Sequence, residues 1–302
     1  MKSIYVGLLF LNLISSVAFA AEKPGFDTDL IESITQLKGK WDPQESVFKI
    51  TQPRNDVPVV VDGRPLPPFM GLTSWASFTP GGKQGLMVMG DLVLFEDEVN
   101  PVMDALFKAG LEVTALHNHF FYAQPKVYFM HVGGEGTANV LSKGVAAALD
   151  QVRVIRGKHA QPVDGSGHEK MSTENSIQVA PLEKIFGLKG TAQDGMVKFT
   201  VGRKATMPCG CEVGKEMGLN TWAAFGGTDA NAAVSGDFAV LESELQPALR
   251  ALRKAKIDIV AIHQHMSGES PRYLFFHYWG RGRASDLALG IKAGLQTQEK
   301  SK

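Results

Sequence analysis

Residues 90–131 read GDLVLFEDEVNPVMDALFKAGLEVTALHNHFFYAQPKVYFMH, and residues 236–277 read GDFAVLESELQPALRALRKAKIDIVAIHQHMSGESPRYLFFH. At a constant offset of 146, 15 of these 42 positions are identical, far more than unrelated stretches share, so the chain contains a tandem duplication. Upstream, Met70-Gly71-Leu72-x-x-Trp75-Ala76-x-Phe78 returns as Met217-Gly218-Leu219-x-x-Trp222-Ala223-x-Phe225. Leu37-Lys38-Gly39 returns as Leu188-Lys189-Gly190. The copies are therefore expected over residues 26–155 and 175–297. Between them, residues 156–174 have a linker composition, with Gly157, Pro162, Gly165, Ser166 and Gly167.

One copy reads as follows. Leu86–Phe95 (LMVMGDLVLF) is apolar and rich in strand formers, so a strand is expected. Asp97, or Ser243 in the pattern Ser243-Glu244-Leu245-Gln246, is the expected helix cap. Val102, Ala105, Leu106 and Ala109 then recur at helical spacing and stop at Gly110. Residues 111–120 and 126–133 read as strands. The short 121–125 segment makes them an antiparallel hairpin. A second helix is expected over 138–152, where Val140, Leu141, Val145, Ala148 and Leu149 are apolar. The unit is thus β-rich at its start and then β-α-β-β-α. The fold class is α+β, with helices packed on antiparallel sheets and two units related by a pseudo-twofold axis.

The chain has 302 residues, ordinary for two domains, and 44% are apolar, enough for a real core. Thirty-one basic residues balance 31 acidic ones, which gives no electrostatic reason to expect nucleic acid as a partner. Residues 1–20 open with Lys2, run apolar and end Ala18-Phe19-Ala20, a small-x-small cleavage pattern. A signal peptide is expected, with a mature periplasmic or secreted protein starting near Ala21. Asn12, Ser15 and Ser16 interrupt the apolar run, which argues against a membrane anchor, and no transmembrane segment is expected in the mature chain.

Six of the eight histidines fall at duplicated positions: His117, His119 and His131, and His263, His265 and His277. Side chains alternate faces along a strand, so His-x-His puts two imidazoles on one side. With a turn centred near Gln124, His131 would lie directly opposite His117, and all three rings would share a face. Three imidazoles about one ion leave a fourth position open for water, which suits zinc. The other reading is a hydrogen-bonded polar core. His159 and His168 lie in the linker and are expected to face solvent.

The flanks predict an aromatic first pocket, after Phe120, Phe121 and Tyr122, and a more polar second one, after Met266, Ser267 and Gly268. Glu96, Glu242 and Glu269 are the candidate catalytic carboxylates. Glu98 and Glu244 fall in a first helical turn, where negative charge is favoured anyway, so their expected role is structural. Asp91 and Asp237 are also retained. Lys126 and Arg272 match as cations that could meet an anionic substrate group, with a solvated strand end as the other and plainer reading. Trp75 and Trp222 read as core aromatics, with a ligand platform as the other reading. Cys209-Gly210-Cys211 occurs only in the second copy and allows three readings. It can form a local disulfide, act as a redox pair, or bind copper(I) with Met207, Met217 or Met266.

The blocks Glu96-Asp97-Glu98-Val99-Asn100-Pro101-Val102, Ala115-Leu116-His117-Asn118-His119, Pro125-Lys126 and Phe129-Met130-His131 resemble the LppY/LpqO family. So do Ala261-Ile262-His263-Gln264-His265-Met266, Glu269-x-Pro271-Arg272 and Phe275-Phe276-His277-Tyr278-Trp279-Gly280. The resemblance covers nearly all of the mature chain. It implies an exported bacterial protein with a duplicated domain of unknown function, although the lipidation cysteine of the lipoprotein members is absent here. Three classes of function remain: a zinc-dependent hydrolase or lyase, a non-catalytic zinc or copper binder or sensor, and a structural or interaction module with buried histidines. The expected partner is a metal or small-molecule ligand.

Overall fold

The structure, a computed structural model, describes residues 24–81, 85–163 and 170–299. The leader expected over 1–20 and His168 lie outside these residues. The first copy runs α1 (Thr28–Thr35), β1 (Gly39–Asp42), β2 (Val47–Pro53), β3 (Val60–Val61), β4 (Arg64–Pro65), β5 (Thr73–Pro80) and β6 (Leu86–Phe95). It continues with α2 (Val99–Lys108), β7 (Glu112–His117), β8 (Ala123–Gln124), β9 (Val127–Gly136) and α3 (Ala138–Lys158). The second copy runs α4 (Val179–Phe186), β10 (Thr191–Gln193), β11 (Met196–Gly202), β12 (Ala205–Thr206), β13 (Glu212–Val213), β14 (Asn220–Gly227) and β15 (Ala232–Leu241). It ends with α5 (Glu242–Lys254), β16 (Asp258–His263), β17 (Tyr273–Gly282) and α6 (Ala284–Glu299). No helix among the described residues is long and apolar enough to cross a membrane.

Twelve of the strands form one sheet in the order β1-β2-β5-β6-β9-β7-β16-β17-β15-β14-β11-β10, and every pairing is antiparallel. The halves meet where β7 lies against β16, through the single bridge Leu116–Ile262. Two side-chain amides extend this thin seam. Asn100 receives the Ile259 N–H (2.9 Å) and donates to the Ile259 carbonyl (3.2 Å). Gln246, its counterpart, receives the Val113 N–H (3.2 Å) and donates to the Val113 carbonyl (2.7 Å). Each amide satisfies backbone groups that the one-bridge ladder leaves unpaired.

One continuous core joins both halves on the helix side of the sheet. Leu92, Leu94, Met130 and Leu116 meet Leu106, Val145 and Leu149 in the first half, and Phe238, Phe276 and Ile262 meet Leu249, Leu252 and Ile291 in the second. Each such side chain contributes roughly 1.5–3 kcal/mol by leaving water. Gly90 and Gly236 serve this face. A Cβ on Gly236 would lie 2.1 Å from the Tyr278 hydroxyl and 2.2 Å from the Trp222 carbonyl, which are themselves hydrogen-bonded at 2.8 Å. The opposite face carries only two small apolar clusters, one around Val93, Phe95 and Phe129 and the other around Ala239, Tyr273 and Phe275.

The expected caps give way to a different device. The helices begin at Val99 and Glu242, and neither Asp97 nor Ser243 caps them. Instead Glu98, fully buried, receives the Phe95 N–H and the Arg54 guanidinium (2.7 and 3.0 Å). Glu244 likewise receives the Leu241 N–H and Arg203 (3.0 and 3.1 Å). Burial alone would lower the pKa of Arg54, but Glu98 and Asp56 outweigh it and hold it above its ordinary value. The helix α3 also runs on to Lys158, through the first residues assigned to the linker.

Candidate metal centre

The histidines reach the open face because of a bulge. Val113 and Leu116 both point into the core although they are three residues apart, which a regular strand forbids. The register slips between Val113 and Ala115, so His117 emerges on the opposite side from Leu116. A slip at Ile259/Ala261 does the same for His263. Since Leu116 and Ile262 share the core, both histidine clusters open on the same face of the sheet.

His119 and His265 lie just beyond their strands and are held by stacking. The His119 ring lies on Phe129 (centroids 3.3 Å, planes 6° apart), and His265 lies on Phe275 (3.6 Å, 9°). This brings Nε2 of His119 to 3.2 Å from Nε2 of His117, and Nε2 of His265 to 3.1 Å from Nε2 of His263.

The expected pairing of His117 with His131 is corrected by two residues. His117 lies opposite Phe129, and His131 lies opposite Ala115. An even shift preserves the face, so His131 still joins the cluster, but by ring stacking on His117 (5.1 Å, 21°). His277 stacks on His263 in the same way (4.6 Å, 19°). The third histidine therefore flanks the other two, and its nitrogens do not converge with theirs.

In the second copy, and there alone among the described residues, a carboxylate takes the converging place. Asp91 is the cross-strand partner of His131, and Asp237 of His277. Oδ2 of Asp237 lies 3.0 Å from Nε2 of His265, and the ligating atoms of Asp237, His263 and His265 all lie within 4.8 Å of one another. In the first copy Asp91 Oδ2 is 4.0 Å from His131 Nε2. Donors at 2.0–2.1 Å around a tetrahedral ion sit about 3.3 Å apart, close to these separations. Neutral rings sharing one N–H···N bond would show the same nitrogen distances. Beside the converging atoms, Oδ1 of Asp91, Oδ1 of Asp237 and Nδ1 of His263 are buried with no hydrogen-bond partner among the described residues. Asp237 is only 2% exposed, and an ionised carboxylate so placed calls for a cation.

Three of the rings, His117, His119 and His263, are biased toward the neutral form. Burial, then the neighbouring His131 and His119, lower the pKa of His117 against the pull of Asp91. Burial is also the main cause for His119 and His263. Neutral imidazoles are the metal-binding form. The carbonyl of Gly218 meets Nδ1 of His265 at 3.2 Å, which aims Nε2 at the cluster. Gly218 stands at φ 83°, a left-handed turn that glycine adopts freely, which explains the repeated Met-Gly-Leu block.

The other sequence candidates lie elsewhere. Glu96 meets Lys126 (3.4 Å) and Tyr128 (3.5 Å), and among the described residues no hydrogen bond or ion pair joins it to a histidine. Glu242 and Arg272 line a 790 Å³ groove with Gln246, Arg250 and Gln264. Glu269 is buried and receives the Tyr273 N–H at 3.0 Å. Cys209 and Cys211 are joined as a disulfide, with Cα atoms 5.4 Å apart. Phe121 and Tyr122 stand in solvent beside the first cluster, 85% and 80% exposed. Trp75 and Trp222 are not in the core: each lies on the open face, directly across from Asp91 or Asp237.

The sequence profile of a family described as Domain of Unknown Function (DUF1259) matches residues 29–151 and 180–297, and the chain belongs to that family. The two matches coincide with the two copies. No curated protein matches the chain. Among solved structures, it is similar to the trimeric bacterial microcompartment shell protein PduB, at 10% identity and a TM-score of 0.19, covering 87% of this chain and 91% of that one. It is also similar to EtuB from Clostridium kluyveri, at 8% identity and a TM-score of 0.22, covering 88% and 92%.

Proposed function

We propose that this chain is an exported metal-binding protein with one centre in each copy. In the second copy Asp237, His263 and His265 would hold the ion, with His277 available as a further donor. In the first copy Asp91, His117 and His119 would do the same, with His131 available as a further donor. The single observation that carries this reading is the convergence of Asp237, His263 and His265, with ligating atoms within 4.8 Å of one another.

Zinc suits the donor set best. Imidazole and carboxylate are its usual ligands, and with Cys209 and Cys211 tied to each other no thiolate is left for copper(I). Two or three protein donors leave a position for water, and bound zinc would bring the pKa of that water toward about 7, as a hydrolase or lyase requires. His131 and His277 stand beside the cluster, where a ring can accept or hand on a proton. A non-catalytic zinc store or sensor uses the same ligands with the position filled. The pseudo-twofold axis belongs to this proposal and would pass through the Leu116–Ile262 bridge, whose residues correspond at the offset of 146. Export through the leader, and kinship with the LppY/LpqO family, are likewise part of it.

Elemental analysis of untagged mature protein tests the reading. The expected result is up to two equivalents of zinc, with about one lost in His263→Ala and both lost in His117→Ala/His263→Ala. No bound metal, and no uptake when zinc or copper is added, would overturn it.

A further inference from the structure

Between 47–54 and 196–203 only three residues are the same in the two copies: Lys49 and Lys198, Thr51 and Thr200, and Arg54 and Arg203. The arginines hold the buried glutamates. The lysines and threonines alternate with core residues such as Ile50 and Phe199, so they stand on the open face. The register then runs Thr51–Trp75–Asp91–His131 across one half and Thr200–Trp222–Asp237–His277 across the other. Residues directly opposite each other have Cβ atoms about 5 Å apart, so each indole stands beside the carboxylate of its cluster. Nζ of Lys49 lies 4.4 Å from the centroid of Trp75, and Nζ of Lys198 lies 4.4 Å from that of Trp222. Neither ammonium has a carboxylate partner among the described residues. Other open-face neighbours differ between the copies, Ser77 against Ala224 and Met89 against Ser235.

From this twofold placement we propose that the Trp–Lys pair is the subsite for a ring compound bearing one carboxylate. The inference rests on the metal reading above and names the ligand class of that same site. The indole takes the face of the ring, the lysine takes the carboxylate, and a hydroxyl on the far side of the ring reaches the metal ligands. An ammonium on an exposed aromatic face is held only weakly, so it is not locked there and remains free as a counter-ion. Two kinds of compound share this chemistry, hydroxylated aromatic acids and sugar acids. Both stack on indole through a ring face.

Calorimetric titration of the mature zinc-loaded protein with 4-hydroxybenzoate and with D-galacturonate separates them. Zinc content is measured in each sample. At least one probe is expected to bind saturably, and the one that does identifies the kind of acid. Lys49→Met/Lys198→Met should weaken it on the order of tenfold, the scale of one charge-assisted hydrogen bond. Lys49→Arg/Lys198→Arg should restore it, which a folding defect would not allow. Binding of neither probe to protein that does hold zinc overturns the subsite and leaves the metal reading standing. A probe that binds equally well to the methionine variant also overturns it. A lysine-dependent probe on protein that takes up no zinc upholds the subsite and overturns the metal reading instead.

Discussion

Asp237→Asn should have opposite effects with and without metal. The substitution keeps the shape of the side chain and removes its charge. Without metal, the aspartate is 2% exposed and its Oδ1 has no donor, so the charge is buried at a cost. Asparagine relieves that cost, and the metal-free melting temperature should hold or rise. With zinc the sign reverses. Removing residues that merely orient a ligand costs 10–100-fold in metal affinity, so the loss of a ligand is taken as about 100-fold. At free zinc 100 times the dissociation constant, each site stabilises the fold by about 2.7 kcal/mol, and after a hundredfold loss by about 0.4 kcal/mol. A cooperative chain of this length shifts by roughly 1.7 °C per kcal/mol. Zinc should then raise the melting temperature by about 9 °C in the native protein. The rise should be about 5 °C in Asp237→Asn and about 1.5 °C in Asp91→Asn/Asp237→Asn. Differential scanning calorimetry at fixed free zinc reads all three. A single variant that melts lower without metal yet keeps the whole zinc shift would refute the ligand role and make Asp237 an ordinary structural acceptor.

Three further outcomes follow from the same geometry. Glu98 meets a second guanidinium, Arg156, at 2.9 Å; Arg54→Met removes the other partner of this buried carboxylate and should cost about 3–5 kcal/mol in urea unfolding, and a loss under about 1 kcal/mol would mean Arg156 suffices alone. Burial depresses the pKa of His117, His119 and His263, so the unfolded chain takes up protons that the folded one resists. That stability is present above the unfolded value of about 6.5 and is lost as pH falls below it, so the metal-free melting temperature should drop from pH 7 to pH 5. A flat profile would contradict the burial of these rings. Gly236→Ala should prevent folding or cost more than about 3 kcal/mol by circular dichroism, because its methyl would overlap Tyr278 and the Trp222 carbonyl; a native melting curve would show that Tyr278 moves aside.

Much of the fold is legible in the offset of 146, since the spacing of Gly-Asp, Pro, His-x-His and His repeats across one strand–helix–hairpin segment. The register departs from the expected one because the hairpin is not simple. Ala123–Gln124 pairs with Val60–Val61 in a separate small sheet, so the turn is not centred on Gln124. The error was two residues, and period-two alternation kept every histidine on its predicted face. The place of Asp91 beside the histidines is not legible. It is 26 positions before His117 in the chain and meets the cluster only through the pairing of β6 with β9. Lys49 and Arg54 were hidden for another reason. The offset drifts from 151 at Leu37 to 149 at Lys49 and 147 at Trp75, because the intervening loops differ in length, so no constant shift reveals them.

The two faces of the sheet give different reasons for what the copies share. On the helix side, each retained residue has a packing or hydrogen-bonding cause. The Gly90/Gly236 pair admits close neighbours, and Glu98/Glu244 are clamped by Arg54/Arg203. Stability alone accounts for them. On the open face, no helix layer covers Lys49, Trp75, His117 and His131 or their counterparts, and exposed positions tolerate change within about ±0.5 kcal/mol, while Asp91 and Asp237 are buried beside them. Packing therefore does not explain why both copies keep the same histidines, carboxylate, indole and ammonium while Met89 faces Ser235 and Ser77 faces Ala224 across the comparison. On the proposed reading, chemistry on that face does. This makes a sharper contrast than any single variant. Replacing helix-side pairs should lower stability and leave zinc binding per folded molecule unchanged, whereas replacing open-face pairs should abolish zinc binding and leave the metal-free fold intact. A set of open-face variants that lost the fold and kept the metal would reverse the assignment of the two faces.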